Sequence, residues 1–173
     1  AMASGLPLSA VAGRRDLMLR FDDIFFSFTA GGEALSLAAC KATLLELDRI
    51  DAFSMLWRTG DRLRDRFNAL VAKHGLTGRL HCVGGGPRNA VQFKDEAGAD
   101  SPLLRSLFQQ EAAQRGILFL VGHNICTALT DRDIDETLAA YEEFFPLLKG
   151  YLSSGDPRSH LRGAEVQAIF RKP

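Results

Sequence analysis

Residues 25–44 read FFSFTAGGEALSLAACKATL. Aromatic residues lead to a lone hydroxyl, Thr29, then to Gly31 and Gly32, and then to a long Ala- and Leu-rich run. From Glu33 to about Ile50 the spacing predicts a helix. Leu37, Cys40, Leu44 and Leu47 form one stripe, and Ala34, Ala38 and Ala42 widen it. So broad an apolar face predicts burial on more than one side. A helix start carries unbonded backbone N–H groups and the positive end of the helix dipole. Glycines there let an anion come close to the backbone, and a threonine just ahead adds a hydroxyl donor. That is a physical recipe for holding phosphate or carboxylate. Neither the P-loop nor the dinucleotide glycine spacing is present. A plain strand–turn–helix with a capping threonine is the simpler account of the same residues.

Working outward, LPLSAVA (6–12) reads as a buried strand, GRRDLMLRF as a polar turn with a helical turn, and DIFFSFT as a second apolar segment. After Ile50, Asp51 is placed to cap a second helix. In it Phe53, Leu56, Trp57, Leu63, Phe67 and Leu70 recur at helical spacing, with Arg62, Arg64, Asp65 and Arg66 elsewhere on the wheel. Gly75 ends it. RLHCV (79–83) and NAVQF (89–93) alternate as strands joined by GGGPR. Ser101-Pro102 opens a third helix that stops at Gly116. ILFLV and ICTAL are two more strand candidates around GHN. Thr130 with Asp133 makes a capping box for a last helix, along one face of which Ile134, Leu138, Tyr141, Phe145 and Leu148 repeat. The tail reads as a surface segment with a final docking helix or strand. Strand and helix come first, and from about residue 51 an α+β layer follows, an antiparallel sheet with helices on one side.

At 173 residues the chain suits one domain or two small pieces. Hydrophobic content is 46% and charged content 24%, an ordinary soluble globular balance. Lys plus Arg and Asp plus Glu both total 21, so there is no basic excess to grip nucleic acid. No apolar run approaches the roughly 20 residues that cross a bilayer, and no signal-peptide pattern is seen. Cys40, Cys82 and Cys126 are an odd number in apolar contexts, so reduced buried thiols in a cytoplasmic protein are expected. The sequence opens on Ala1 with Met2 second, which reads as the start of a fragment.

Two stretches, MASGLPLSAVAGRRDLM and FFSFTAGGEALSLAACKATL, together resemble the class III pyridoxal-phosphate aminotransferases, the glutamate-1-semialdehyde aminomutase group above all. The likeness continues in RGILFLVGHNICTALTDRDIDETLAAYEEFF and in GAEVQAIFR, so it covers nearly the whole chain. It implies a fold-type-I α/β fragment: residues 1–50 the end of the large cofactor domain, residues 51–173 the small C-terminal domain. It implies pyridoxal 5'-phosphate as cofactor, a homodimer with shared active sites, and a small-molecule amino donor and acceptor. Thr29, Gly31, Gly32 and the adjoining Phe28 match the cofactor-phosphate turn, although Ala30 stands where the group usually carries a bulky residue. Ser4 and Gly5 match the loop after the Schiff-base lysine. By the same alignment that lysine lies immediately before Ala1, so no catalytic lysine is assigned and the chain alone is expected to be inactive. Lys41 reads as a solvent-facing helix charge.

Arg88, in GGGPRNAVQF, is the candidate for a substrate carboxylate, with a solvated turn arginine as the plainer account. His81-Cys82 and His123-x-x-Cys126 lack any strong zinc spacing, and no metal is expected. His123-Asn124 reads as a tight connection held by backbone hydrogen bonds. Ser9, Ser27 and Ser36 lack a nucleophile elbow. Asp131, Asp133, Asp135 and Glu136 read as first-turn charge favouring a helix start. The leading expectation is part of an aminotransferase or aminomutase acting on a small carboxylate- or aldehyde-bearing substrate. The alternatives are a non-catalytic dimerisation or interaction module of the same fold, and a stand-alone anion-binding domain.

Overall fold

The computed structural model describes residues 2–167. It forms two compact units, Ala1–Phe53 and Ser54–Pro173. In the first, α1 (Arg15–Met18) runs into a 3-10 turn, Leu19–Asp23, and α2 spans Ala34–Arg49. The strand expected over 6–12 is not formed: these residues are irregular and mostly exposed, with Val11 61% accessible. An apolar run becomes a strand only where a neighbouring chain takes its amides and carbonyls. Here Leu6 instead closes a turn onto the Ala3 carbonyl, and Pro7 offers no amide. The expected double-sided burial of α2 is also absent. Only Ser36 is buried on it, while Leu37 and Leu44 are about half exposed. The exposed Lys41 lies on this helix, as its spacing indicated.

The second unit follows the sequence pattern more closely. Its elements are α3 (Ala52–Lys73, whose first residues lie before the division), β1 (Leu80–Gly85), β2 (Arg88–Phe93), α4 (Pro102–Gln114) and α5 (Asp131–Ser153), followed by a 3-10 turn at Pro157–His160. The two strands pair antiparallel, with Cys82 opposite Val91 and Gly85 opposite Arg88. Asn89, Val91 and Phe93 are buried, while Arg88, Ala90 and Gln92 are exposed, the period of two that puts alternate side chains on opposite faces. Ring packing fills the core beneath. Phe67, Phe108, Tyr141, Phe144 and Phe145 are completely buried, mostly edge to face. Each such side chain contributes about 1.5–3 kcal/mol through the water it sheds.

Helix ends form where the local chemistry asks for them. Ser101 Oγ accepts from the Leu104 amide ahead of Pro102. Thr130 and Asp133 complete the reciprocal box of α5. Gly75 ends α3 at φ 65°, a left-handed position that suits glycine. Asp131 and Asp135 do more than start α5: Arg62 of α3 bridges both, at 2.5 and 2.8 Å, and Arg66 pairs with Asp135 at 2.5 Å.

The strands expected at ILFLV and ICTAL do not form. Instead residues 121–125 lie along the free edge of β2. Asn89 and His123 exchange backbone hydrogen bonds at 3.2 Å each, and the Val91 amide donates to the Val121 carbonyl. At Gly122 a Cβ would stand 2.0 Å from the Asn89 carbonyl oxygen, so only glycine lets the backbones approach. The ladder stops there, because Leu129 closes a turn onto Cys126 ahead of the Thr130 cap.

The tightest approach joins α3 to the hairpin. A Cβ on Gly60 would lie 1.8 Å from the Gly86 carbonyl oxygen. Gly60→Ala therefore forces the helix off the hairpin, with an expected loss of about 3 kcal/mol. Gly150, on the exposed side of α5, has nothing within 4 Å of its would-be Cβ. Gly150→Ala should stabilise by about 0.5–1 kcal/mol. Urea unfolding of the two variants beside the parent checks both signs.

Candidate functional site

The first candidate is the Thr29 turn. Phe28 O accepts from the Gly31 amide at 2.9 Å and Ala30 O accepts from Glu33 at 3.3 Å. These bonds fold Phe28–Gly32 into a turn directly ahead of α2. Thr29, Gly31 and Gly32 are all exposed, and Phe28 is 66% accessible, edge-on to Phe26. The Thr29 hydroxyl and the Gly32 amide have no partner among the described residues. The helix tip itself differs from the sequence reading. Glu33 is the N-cap, and its carboxylate accepts from the Leu35 amide at 2.8 Å and the Ser36 amide at 2.6 Å. Two of the bare amides expected at the electropositive end are therefore already taken, by a side chain that carries the charge an incoming anion would carry. What remains for an anion is the hydroxyl, the turn amides and the Ala34 amide, which has no partner among the described residues. Glutamate at this position was visible in the sequence, but it is not a favoured N-cap residue.

Ser4 and Gly5 form a tight loop with φ values of 46° and 103°. Ser4 Oγ lies 3.2 Å from Thr43 Oγ1, which ties the loop to the middle of α2. No hydrogen bond among the described residues joins it to the Thr29 turn.

Arg88, the third candidate, sits at the head of β2 on its exposed face. It has no carboxylate partner among the described residues, and its Nη1 donates to Asn124 Oδ1 at 3.4 Å. Its position is fixed from both sides. From α3, Asp61 Oδ1 accepts from the Gly86 amide at 3.0 Å, and Arg64, itself bonded to Asp61, donates to the Gly84 carbonyl at 3.0 Å. The Trp57 ring lies on Gly85 and Gly86. From the other side the Ile125 amide donates to the Pro87 carbonyl at 2.9 Å.

Below this face runs a buried polar chain. His123 Nδ1 lies 2.6 Å from Asn89 Oδ1, and Nε2 lies 2.8 Å from Tyr141 Oη. Asn89 Oδ1 also accepts from the His123 amide, so Nδ1 carries the proton and donates, and Nε2 accepts from the tyrosine. Burial drives the histidine pKa down to about 4 and the tyrosine pKa up, which keeps both neutral in these roles. Both ring nitrogens are therefore engaged, and His123 has no lone pair left for a metal. Cys126 is exposed, and burial pushes the Cys82 thiol up to about 12, an inert group. Asn89 betrayed itself in the sequence as a polar residue at an inward position of an alternating strand. Tyr141, Trp57, Asp61 and Asn124 carried no such signal.

The histidine makes stability depend on acidity. Its folded pKa lies below the unfolded value near 6.5. The unfolded chain therefore takes up the proton first. Stability is complete above about pH 6.5 and falls as pH drops through 4, by about 3 kcal/mol in all. His123→Gln, which can both donate and accept, should flatten that stretch of the curve. Urea midpoints between pH 7 and 4 read the difference.

No family model matches the chain. Among curated proteins, it is 29% identical over 161 residues to a glutamate-1-semialdehyde 2,1-aminomutase 2 of Exiguobacterium sibiricum, covering 86% of the chain and 36% of the relative. It is 31% identical over 162 residues to the beta-phenylalanine transaminase of Variovorax paradoxus, covering 83% and 36%. Over 92 residues, 53% of the chain, it is 34% identical to the 2'-deamino-2'-hydroxyneamine transaminase of Streptomyces kanamyceticus, of which it covers 23%. The chain thus spans a little over a third of the length of the first two. No helix among the described residues is long and apolar enough to cross a membrane. Over most of its length, then, the sequence is similar to glutamate-1-semialdehyde 2,1-aminomutases and to a beta-phenylalanine transaminase.

Proposed function

We propose that this chain forms part of a pyridoxal-phosphate-dependent aminotransferase or aminomutase that acts on a small carboxylate-bearing substrate. The observation that carries the reading is the open Thr29 turn ahead of α2, in a chain similar to aminomutases and transaminases. The Thr29 hydroxyl and the Gly32 amide, next to Gly31 and Phe28, hold the phosphate of the cofactor. Pyridoxal phosphate, once bound, supplies the electron sink that lets an amino group move. Arg88 pairs with the substrate carboxylate, in a direction set by Asn124, and Ser4 and Gly5 line the approach to the cofactor. The working unit is a homodimer, consistent with the exposure of Phe25 (95%) and Phe28.

One observation favours the second reading, a non-catalytic interaction module. With Glu33 as its cap, two amides of the α2 tip are satisfied without any anion. Titrating the chain with inorganic phosphate and with pyridoxal phosphate, while following backbone amides by NMR, separates the two. The first reading expects the Thr29, Ala30 and Gly32 amides to shift, and Thr29→Val to weaken binding about five-fold, the worth of one hydrogen bond. It also expects Glu33→Ala to tighten phosphate binding, since a like charge leaves the tip and two amides are released. Amides that stay still with both ligands overturn the cofactor reading. Self-association that is lost on replacing Phe25 and Phe28 by serine then supports the module.

A further inference from the structure

We propose that Trp57 and Arg88 together form a specificity site for a carboxylate that carries an aromatic ring. The proposal rests on the reading of Arg88 given above and names the substrate class that would suit it. Gly85 stands directly opposite Arg88 in the hairpin register. Residues so paired project from the same face, with Cβ atoms about 4.5–5.5 Å apart. Gly85 has no side chain, and the indole takes the space. A Cβ there would lie 2.8 Å from Trp57 Cζ3, and one on Gly86 would lie 2.4 Å from Cε3. The aromatic ring thus replaces the cross-strand neighbour of the arginine.

Three features make this juxtaposition a receptor. Trp57 is held against the glycines yet remains 53% accessible, so a large apolar surface faces water one strand away from the residue that carries the cation. The floor next to it is low and apolar: Gly85, Ala90 and, opposite Ala90, Val83 share the outward face with Arg88. The guanidinium has no acidic partner among the described residues, and its only protein acceptor among them is the neutral Asn124. Of the charges bonded at the hairpin tip, Arg64 pairs with Asp61 at 2.7 Å and with Asp65 at 2.8 Å, so none of them offers a free cation to compete with Arg88. A carboxylate on Arg88 and a ring on Trp57 would satisfy both groups at once. A short aliphatic acid would use the first alone.

Trp57 is the sole tryptophan of the sequence, so its fluorescence reports this surface directly. The full chain and its Arg88→Gln variant are titrated with 3-phenylpropanoate, propanoate and 3-phenylpropanol. The proposal expects a saturable change with 3-phenylpropanoate and affinities about ten-fold lower for the other two, roughly the strength of one charge-assisted pairing or one ring contact. In Arg88→Gln the acid and the alcohol should bind alike. If propanoate binds the parent chain as tightly as 3-phenylpropanoate, and Arg88→Gln abolishes both, the arginine reading stands and the aromatic site is overturned. If acid and alcohol bind the parent alike, the arginine reading falls and the proposal with it. The absence of any saturable response also overturns the proposal. Arg88 is exposed, and circular dichroism of the variant confirms that folding is not what changed.

Discussion

One backbone carbonyl pressed against one helix governs the second unit. The Gly86 oxygen occupies the place where a side chain at Gly60 would begin, and everything at the hairpin tip follows from that approach. It lets Asp61 reach the Gly86 amide and Arg64 reach the Gly84 carbonyl. It also lays the Trp57 ring across the next two residues. A second close contact, Gly122 against Asn89, clamps the opposite edge. Arg88 lies between these two fixtures. An exposed arginine on a free loop would spread over many rotamers, and ordering it would cost most of what a single ion pair returns. Here the backbone beneath it is fixed before any ligand arrives.

The two candidate anion sites differ in electrostatic character. At Thr29 the helix offers little, because Glu33 has already answered its dipole. Whatever binds there does so through a hydroxyl, a turn and the Ala34 amide. At Arg88 the charge has no carboxylate partner among the described residues, and the supporting chain of Asn89, His123 and Tyr141 is neutral throughout. Neutrality matters for a buried relay, since a charge there would be stranded in low dielectric. Within that chain the Asn89 Nδ2 group is buried without an acceptor among the described residues.

The second unit was largely legible in its sequence, and the first was not, for a physical reason. Caps and terminators act locally: Ser101-Pro102, Thr130 with Asp133, and Gly75 each work within a turn of the chain, so their residue types suffice. The hairpin also declared itself, through Asn89, Val91 and Phe93 alternating inward. Apolar runs without alternation are different. LPLSAVA and ILFLV read as strands, but a strand depends on a partner edge that composition does not encode. The first lies open, and only the end of the second, at Val121, found the β2 edge. The Thr29 turn was placed correctly ahead of its helix. What escaped was Glu33, whose reach back to two amides depends on a backbone bend rather than on a preferred capping residue. The indole beside Arg88 escaped too, because thirty-one positions separate the two in the chain.

The α3–α5 pair is bound differently along its length. Midway, Phe67 meets Tyr141 and Phe145 in hydrocarbon. Where α5 begins, Arg62 and Arg66 straddle Asp131 and Asp135 in open water. Dissolved salt screens the second fastening and leaves the first untouched. Raising ionic strength therefore weakens every exposed ion pair between these two helices, Lys73 with Glu142 further along included. The acidic start of α5 loosens while the aromatic midsection holds, and the loop that delivers Asn124 to Arg88 leads directly into that start.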